Sequence, residues 1–175
     1  VSAAKKGLAS LTATAVVEAG TKNRSPEEVD TWLDERAQNL GSLSGQELTA
    51  VSLNGLSEHW KEGIAFLWEV LFEPAFDPKR ISIVKKQALD GLKRELDLPE
   101  PLGHRAFLET LYGSKSLWGS QVSLKSLKKI NRSEMIRFHK QYFGLNNMIF
   151  AITGDFSVHE LKQELKTLRE NLEKK

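Results

Sequence analysis

Residues 7–29 read GLASLTATAVVEAGTKNRSPEEV. Two helices and the break between them are legible in this stretch. Apolar residues at helical spacing predict a first helix over 4–19, with Leu8, Leu11, Ala15 and Val16 on one face. Gly20 is its expected stop. Ser25-Pro26-Glu27-Glu28 then has the chemistry of a helix start. The Ser hydroxyl is an N-cap, the Pro sits in the first turn where its missing N–H leaves no hydrogen bond unmade, and the Glu occupies the capping-box position. The second helix is expected to carry Val29, Trp32, Leu33, Ala37 and Leu40 on its buried side.

The pattern changes from helical to alternating in GSLSGQELTAVSLNGLS, residues 41–57. Its small and β-branched residues, split by Gly45, predict two strands joined by a tight turn. Ser57 is the expected cap of a third helix with Trp60, Ile64, Leu67, Trp68 and Leu71 inward, ended by Pro74. Asp77-Pro78 opens a fourth, long helix to about Leu96, stopped by Pro99. A fifth is expected from Pro101 to Tyr112, ending at Gly113, and a polar loop around Trp118-Gly119 follows. Asn131 or Ser133 starts another helix through SEMIRFHKQYF. The apolar run NNMIFAITGD, residues 146–155, reads as a buried strand. Ser157 caps a last helix over 158–173, whose Leu161, Leu165, Leu168 and Leu172 are expected to pack on a sheet; a coiled-coil seam is the alternative. Helices and antiparallel strand pairs, without β-α-β alternation, define an α+β class: an antiparallel or mixed sheet with several helices on one face.

The bulk properties permit one domain, taken here as residues 1–175. A chain of 175 residues with 40% hydrophobic and 27% charged residues is long enough for a sizeable core. A formal net charge of +2 and the lack of any basic run interleaved with aromatics argue against nucleic acid or an anionic membrane as partner. With no cysteine, disulfides and thiolate chemistry are excluded. No apolar stretch is long enough to span a membrane, and no signal peptide is visible. The chain begins at Val1, so an N-terminal segment, with any targeting signal, is expected to have been removed.

Four histidines are present: His59, His104, His139 and His159. None stands in an H-x-x-E-H or H-E-x-x-H arrangement, and each reads as a surface residue. No G-x-S-x-G elbow occurs, and Gly103, Gly113 and Gly119 form no phosphate cradle. Spacing and chemistry alone therefore define no active site.

Several segments, taken in order, resemble the pitrilysin/insulinase family of zinc peptidases, which includes the mitochondrial processing peptidases and their bacterial relatives. They are residues 7–29, LGSLSGQELTAVSLNGLSEHW, LFEPAFDPKRISIVKKQALDGLKRELDLPEPLGHRAF, YGSKSLWGS and LKKINRSEMIRFHKQYFGLNNMIFAITGDFS. Each is weak alone, but their order and separations are specific, and they cover nearly the whole chain.

The resemblance implies an inverted zinc motif, H-x-x-E-H, directly after Gly7-Leu8-Ala9. Its two His would bind Zn²⁺ from adjacent turns of one helix, and its Glu would polarise a bound water. On this chain the His positions fall at Ser10 and Thr14 and the Glu position at Ala13. A third ligand, a Glu on the fourth helix eight residues before Pro99, falls at Gly91, beside Asp90. Neutral hydroxyls are poor zinc ligands, and Ala and Gly have nothing to coordinate with. The site residues of the family are thus degenerate here, and neither zinc nor another cofactor is expected.

In such proteins two similar halves enclose a chamber and only one need carry zinc. KQALDGLKRELDLP looks like the non-catalytic half, and Ser44-Gly45 stands where active members tend to have Asn-Ala. The resemblance therefore implies a structural, substrate-enclosing domain whose partners are an active half or subunit and extended peptides. The compartment stays open among bacterial periplasm, bacterial cytoplasm and mitochondrial matrix. The family usually places strands before the Gly-Leu-Ala helix, and only six residues precede it here. An uncovered sheet edge, and with it a homo-oligomer or strand exchange, is expected. Two alternatives stand beside this reading: an active metalloendopeptidase using other ligands, such as Asp90 with a His, and an unrelated α+β protein-binding scaffold.

Overall fold

The computed structural model describes residues 5–173. Among these, the order is α1 (Leu8–Glu18), α2 (Pro26–Glu35), β1 (Asn39–Ser44), β2 (Thr49–Asn54), α3 (Trp60–Phe72), α4 (Pro78–Leu96), α5 (Pro99–Tyr112), α6 (Leu124–Lys129), α7 (Arg132–Tyr142) and α8 (Val158–Glu173). This is the expected α+β class. The strands pair antiparallel from Asn39 opposite Asn54 to Ser44 opposite Thr49. Gly45 N–H donates to Leu48 O at 2.9 Å to close the turn.

α1 is the axis of the molecule and packs against β1, β2, α3, α4 and α7. Its small residues allow this approach on all sides: Leu8, Leu11, Thr12, Ala13, Ala15 and Val16 are buried. The Thr12 hydroxyl, fully buried, donates to Leu8 O at 2.7 Å, so its burial leaves no donor unsatisfied. Gly7 precedes the helix at φ 93°, and a Cβ there would lie 2.6 Å from Leu127 Cδ2. Gly20, at φ 72°, ends the segment as expected; a Cβ would lie 2.9 Å from Arg24 O. Both positions need a residue without a side chain. The helix begins at Leu8 rather than residue 4, which lies outside the described residues.

The second helix starts as read: Ser25 and Glu28 form a reciprocal capping box with Pro26 in the first turn. It ends earlier than expected. Ala37 adopts φ 48°, Ala37 N–H bonds Asp34 O at 3.2 Å and Gln38 N–H bonds Leu33 O at 2.9 Å. That is a Schellman close with alanine in the place glycine usually takes. Ala37 therefore terminates the helix, and Leu40 belongs to β1. Trp32 stacks on Phe66 of α3 at 4.0 Å, and the Arg36 guanidinium lies 4.6 Å over its ring. The turn after α1 is pinned to α3 by Glu69, whose carboxylate accepts from the Thr21 hydroxyl and pairs with Arg24.

Four further expectations are corrected. Ser57 opens a 3-10 turn, Ser57–His59, and makes no cap bond to α3. Pro99 is the first residue of α5, not merely the stop of α4, because proline is tolerated at the first helical position. α6 was not anticipated; it is short and half lysine, held by a Ser123–Ser126 capping box and by Lys85 Nζ, which donates to Lys128 O at 2.6 Å. α8 packs on α3 rather than on the sheet, with its leucine stripe only half-buried.

Residues 146–155 depart furthest from expectation. Residues 148–153 join no ladder, and Ile149 is 97% exposed. A strand is buried only where a sheet continues beside it. Among the described residues the sheet contains β1 and β2 alone.

His139 is not a surface residue. It is 8% exposed, its Nε2 lies 2.7 Å from Leu71 O, and its ring stacks 4.9 Å from Phe143 and edge-on to Phe76. A carbonyl only accepts, so Nε2 carries the proton and caps the C-terminal end of α3. Burial pushes the imidazole pKa below its ordinary value, against a smaller opposing effect of the Leu71 carbonyl. The folded state therefore holds the neutral ring while the unfolded chain protonates near pH 6.5. Stability is complete above that pH and is lost as pH falls through the unfolded and then the folded pKa. The melting temperature is expected to drop between pH 7 and 5, and His139→Gln to flatten that slope. An unchanged slope in the variant would assign the acid sensitivity elsewhere.

Candidate functional site

The resemblance places chemistry on α1 and α4, and the structure brings these two helices into contact. Ser10, Ala13 and Thr14 follow at helical spacing from the glycine-fixed start of α1. Ser10 is exposed, Thr14 half-buried and Ala13 only 1% exposed. The Thr14 hydroxyl donates to Ser10 O at 3.1 Å, one turn back along its own helix. Gly91 lies in the C-terminal half of α4, and a Cβ built on it meets nothing within 4 Å. There is room for a side chain at this position, and none is present.

The donor set does not fit zinc. Two neutral hydroxyls, one of them engaged by its own helix, a methyl group and a bare Cα supply neither imidazole nor carboxylate. Asp90, the neighbouring carboxylate, is held by Lys93 Nζ at 3.0 Å. That hydrogen bond, then the Lys93 charge, lowers its pKa. Among the described residues no group of three His, Cys, Asp or Glu side chains is arranged to hold a metal ion. Ser44 of the hairpin shares a hydrogen bond with the Thr49 hydroxyl at 3.0 Å. An open depression of about 700 Å³ runs along α5, lined by Glu100, Pro101, Gly103, His104 and Phe107; none of the four family positions lines it.

His139 is the buried polar residue that reading the sequence missed. The signal was available: Met135, His139 and Phe143 recur at i, i+4 and i+8, which puts the imidazole on the inward stripe of α7.

The fold is that of a peptidase M16, or pitrilysin-like, domain. The structure matches the peptidase M16 inactive domain from Pseudomonas fluorescens with a TM-score of 0.68, over 79% of this chain and 35% of that one, at 22% identity. It matches the periplasmic protease PqqL from Escherichia coli with a TM-score of 0.75, over 94% of this chain and 18% of that one, at 16% identity. In sequence it is similar to an uncharacterized zinc protease of Rickettsia bellii, 21% identical over 155 residues, which are 87% of this chain and 37% of the relative. No family-level sequence profile matches the chain. The chain thus spans little more than a third of the Rickettsia relative's length. The resemblance read from the residues holds at the level of the fold. Among the described residues no helix is long and apolar enough to cross a membrane.

Proposed function

We propose that residues 1–175 act as one non-catalytic domain of an M16-type peptidase. It would serve as a wall of a substrate-enclosing chamber and pair with a zinc-bearing half or subunit. One observation carries the reading. The fold of a peptidase domain is kept, including the glycine-fixed start of α1 and its packing on α4, while the family resemblance, read on the sequence, puts Ser10, Ala13, Thr14 and Gly91 where hydrolysis would need two His and two Glu. A catalytic zinc site needs three protein ligands that leave one position for water, and these four residues supply none. The domain's contribution is non-covalent: shape, enclosure and a hairpin whose outer backbone, among the described residues, makes no ladder with another segment and could meet extended peptide.

The purified chain is expected to retain no stoichiometric zinc by elemental analysis and to cleave no generic peptide. Mixed with a companion polypeptide that carries H-x-x-E-H, it should form a complex whose hydrolysis exceeds that of the companion alone. About one equivalent of bound zinc, together with chelator-sensitive cleavage by this chain alone, would refute the reading.

A further inference from the structure

Asn54 closes β2 and Gly55 follows it, the one place in the chain where an asparagine precedes a glycine. Both residues are exposed. Asn54 faces Asn39 in the last pair of the hairpin ladder, so Gly55 lies just beyond that ladder. Asparagine before glycine is the pair whose side-chain amide reacts most readily with the backbone. With no Cβ on the following residue, nothing shields its nitrogen and the chain turns freely toward the side chain. Asn23, Asn39, Asn131, Asn146, Asn147 and Asn171 all precede residues that carry side chains.

Packing explains why the glycine is there. A Cβ on Gly55 would lie 2.5 Å from Gln38 Cγ, and one on Gly63 of α3 would lie 3.1 Å from Gln38 Nε2. Gln38 is 9% exposed, wedged between these two glycines, and its Nε2 donates to His59 O at 3.5 Å. The hairpin and the start of α3 are therefore fitted to each other through Gly55, and a residue that would slow the reaction does not fit. Asp90-Gly91 is the internal contrast. The same ring could close there, but Gly91 sits inside α4, where its amide is committed to the helix ladder.

We propose that Asn54 is a site of spontaneous deamidation and that the isoaspartate formed there unseats β2 from α3. The Gly55 nitrogen loses its proton to base and attacks Asn54 Cγ. The bond from Cγ to the side-chain nitrogen breaks, and that nitrogen takes a proton from solvent and leaves as ammonia. Water then opens the cyclic imide. Cleavage between the Gly55 nitrogen and Cγ gives aspartate; cleavage between that nitrogen and the main-chain carbonyl carbon gives isoaspartate, with the chain now running through Cβ. Water is the only co-reactant, and nothing is oxidised or reduced. Isoaspartate inserts a methylene into the main chain directly before Gly55, where the fit against Gln38 leaves no slack. This site does not depend on the role proposed above.

The folded 175-residue chain, aged in heavy-oxygen water at neutral and at mildly alkaline pH, tests this by peptide mapping with mass spectrometry. The expected result is loss of the amide at Asn54, with label taken up as a mixture of aspartate and isoaspartate, faster at the higher pH, while the other asparagines and Asp90 stay unchanged. Gly55→Ala would collide with Gln38, so Asn54→Gln, whose longer side chain closes the ring poorly, is the blocking variant; it should release no ammonia from this position. The isolated isoaspartate form should lose amide protection across the hairpin and the first turn of α3. Asn54→Asp, which adds the charge without lengthening the backbone, should keep that protection. The proposal is overturned if Asn54 keeps its amide while another asparagine converts, or if no asparagine converts. It is overturned too if the isoaspartate form exchanges like the fresh chain, or if Asn54→Asp loosens the hairpin as much.

Discussion

Replacing Ala13 by glutamate is expected to destabilise the protein by several kcal/mol and in a pH-dependent way. By the family resemblance, this would place a carboxylate where active members carry their catalytic Glu, on a helix whose Ser10 and Thr14 carry only hydroxyls. Ala13 is 1% exposed in α1, and α1 is enclosed by β1, β2, α3, α4 and α7. A carboxylate there would be desolvated without a metal or a second ligand to compensate, since Ser10 and Thr14 offer only neutral hydroxyls. Burial would raise the folded-state pKa of the new group above its unfolded value of about 4.3. The variant's deficit should therefore be smallest below that pH and grow as pH rises through the folded pKa. Denaturant unfolding at pH 4 and pH 8 measures both, with Ala13→Gln separating charge from size. Added zinc should not rescue the variant; rescue by one equivalent would mean that a usable ligand set survives near α1.

Phe66→Ala is expected to cost about 3–5 kcal/mol, which in a domain of this size is a large share of total stability. Phe66 is 2% exposed, stacks on Trp32 at 4.0 Å and has the Arg24 guanidinium 5.6 Å above its ring. Its removal opens a cavity between α2 and α3 and takes away the ring against which the Trp32 indole packs. Arg24 and Glu69 would keep their ion pair, but over a void. Phe66→Leu, which refills most of the volume, should cost less than about half as much. Chemical denaturation compares the two. A loss under about 1 kcal/mol for the alanine variant would show that the stacked pair adds little beyond area.

What the sequence disclosed follows from how local each cause is. The starts of α2, α4 and α7 were legible because Ser25, Asp77 and Asn131 act on amides within the same turn. The hairpin was legible because its alternation and its turn lie within one short stretch. The close of α2 at Ala37 was not: nothing in Arg-Ala-Gln announces a left-handed residue, and the chain adopts it to swing Leu40 into the sheet. The burial of residues 148–153 was over-read, since apolar content says that a strand wants cover and not that cover is adjacent. At the site, the identities of Ser10, Ala13, Thr14 and Gly91 came from the resemblance alone. The enclosure of Ala13 and the open space at Gly91 depend on which helices pack together, and that is written nowhere near either residue.

The placement of α1 also bears on how the polypeptide matures. α1 is made more than a hundred residues before α7 (Arg132–Tyr142), against which it packs. As the nascent chain leaves the ribosome, Leu8, Leu11 and Val16 must wait with their flanks bare until that distant element emerges, and the closure of so long a loop is a slow step. During that interval the helix is a natural client for a holdase. A chain interrupted before residue 142 would never complete the wrap, which makes the C-terminal half a condition for the N-terminal helix to be housed at all.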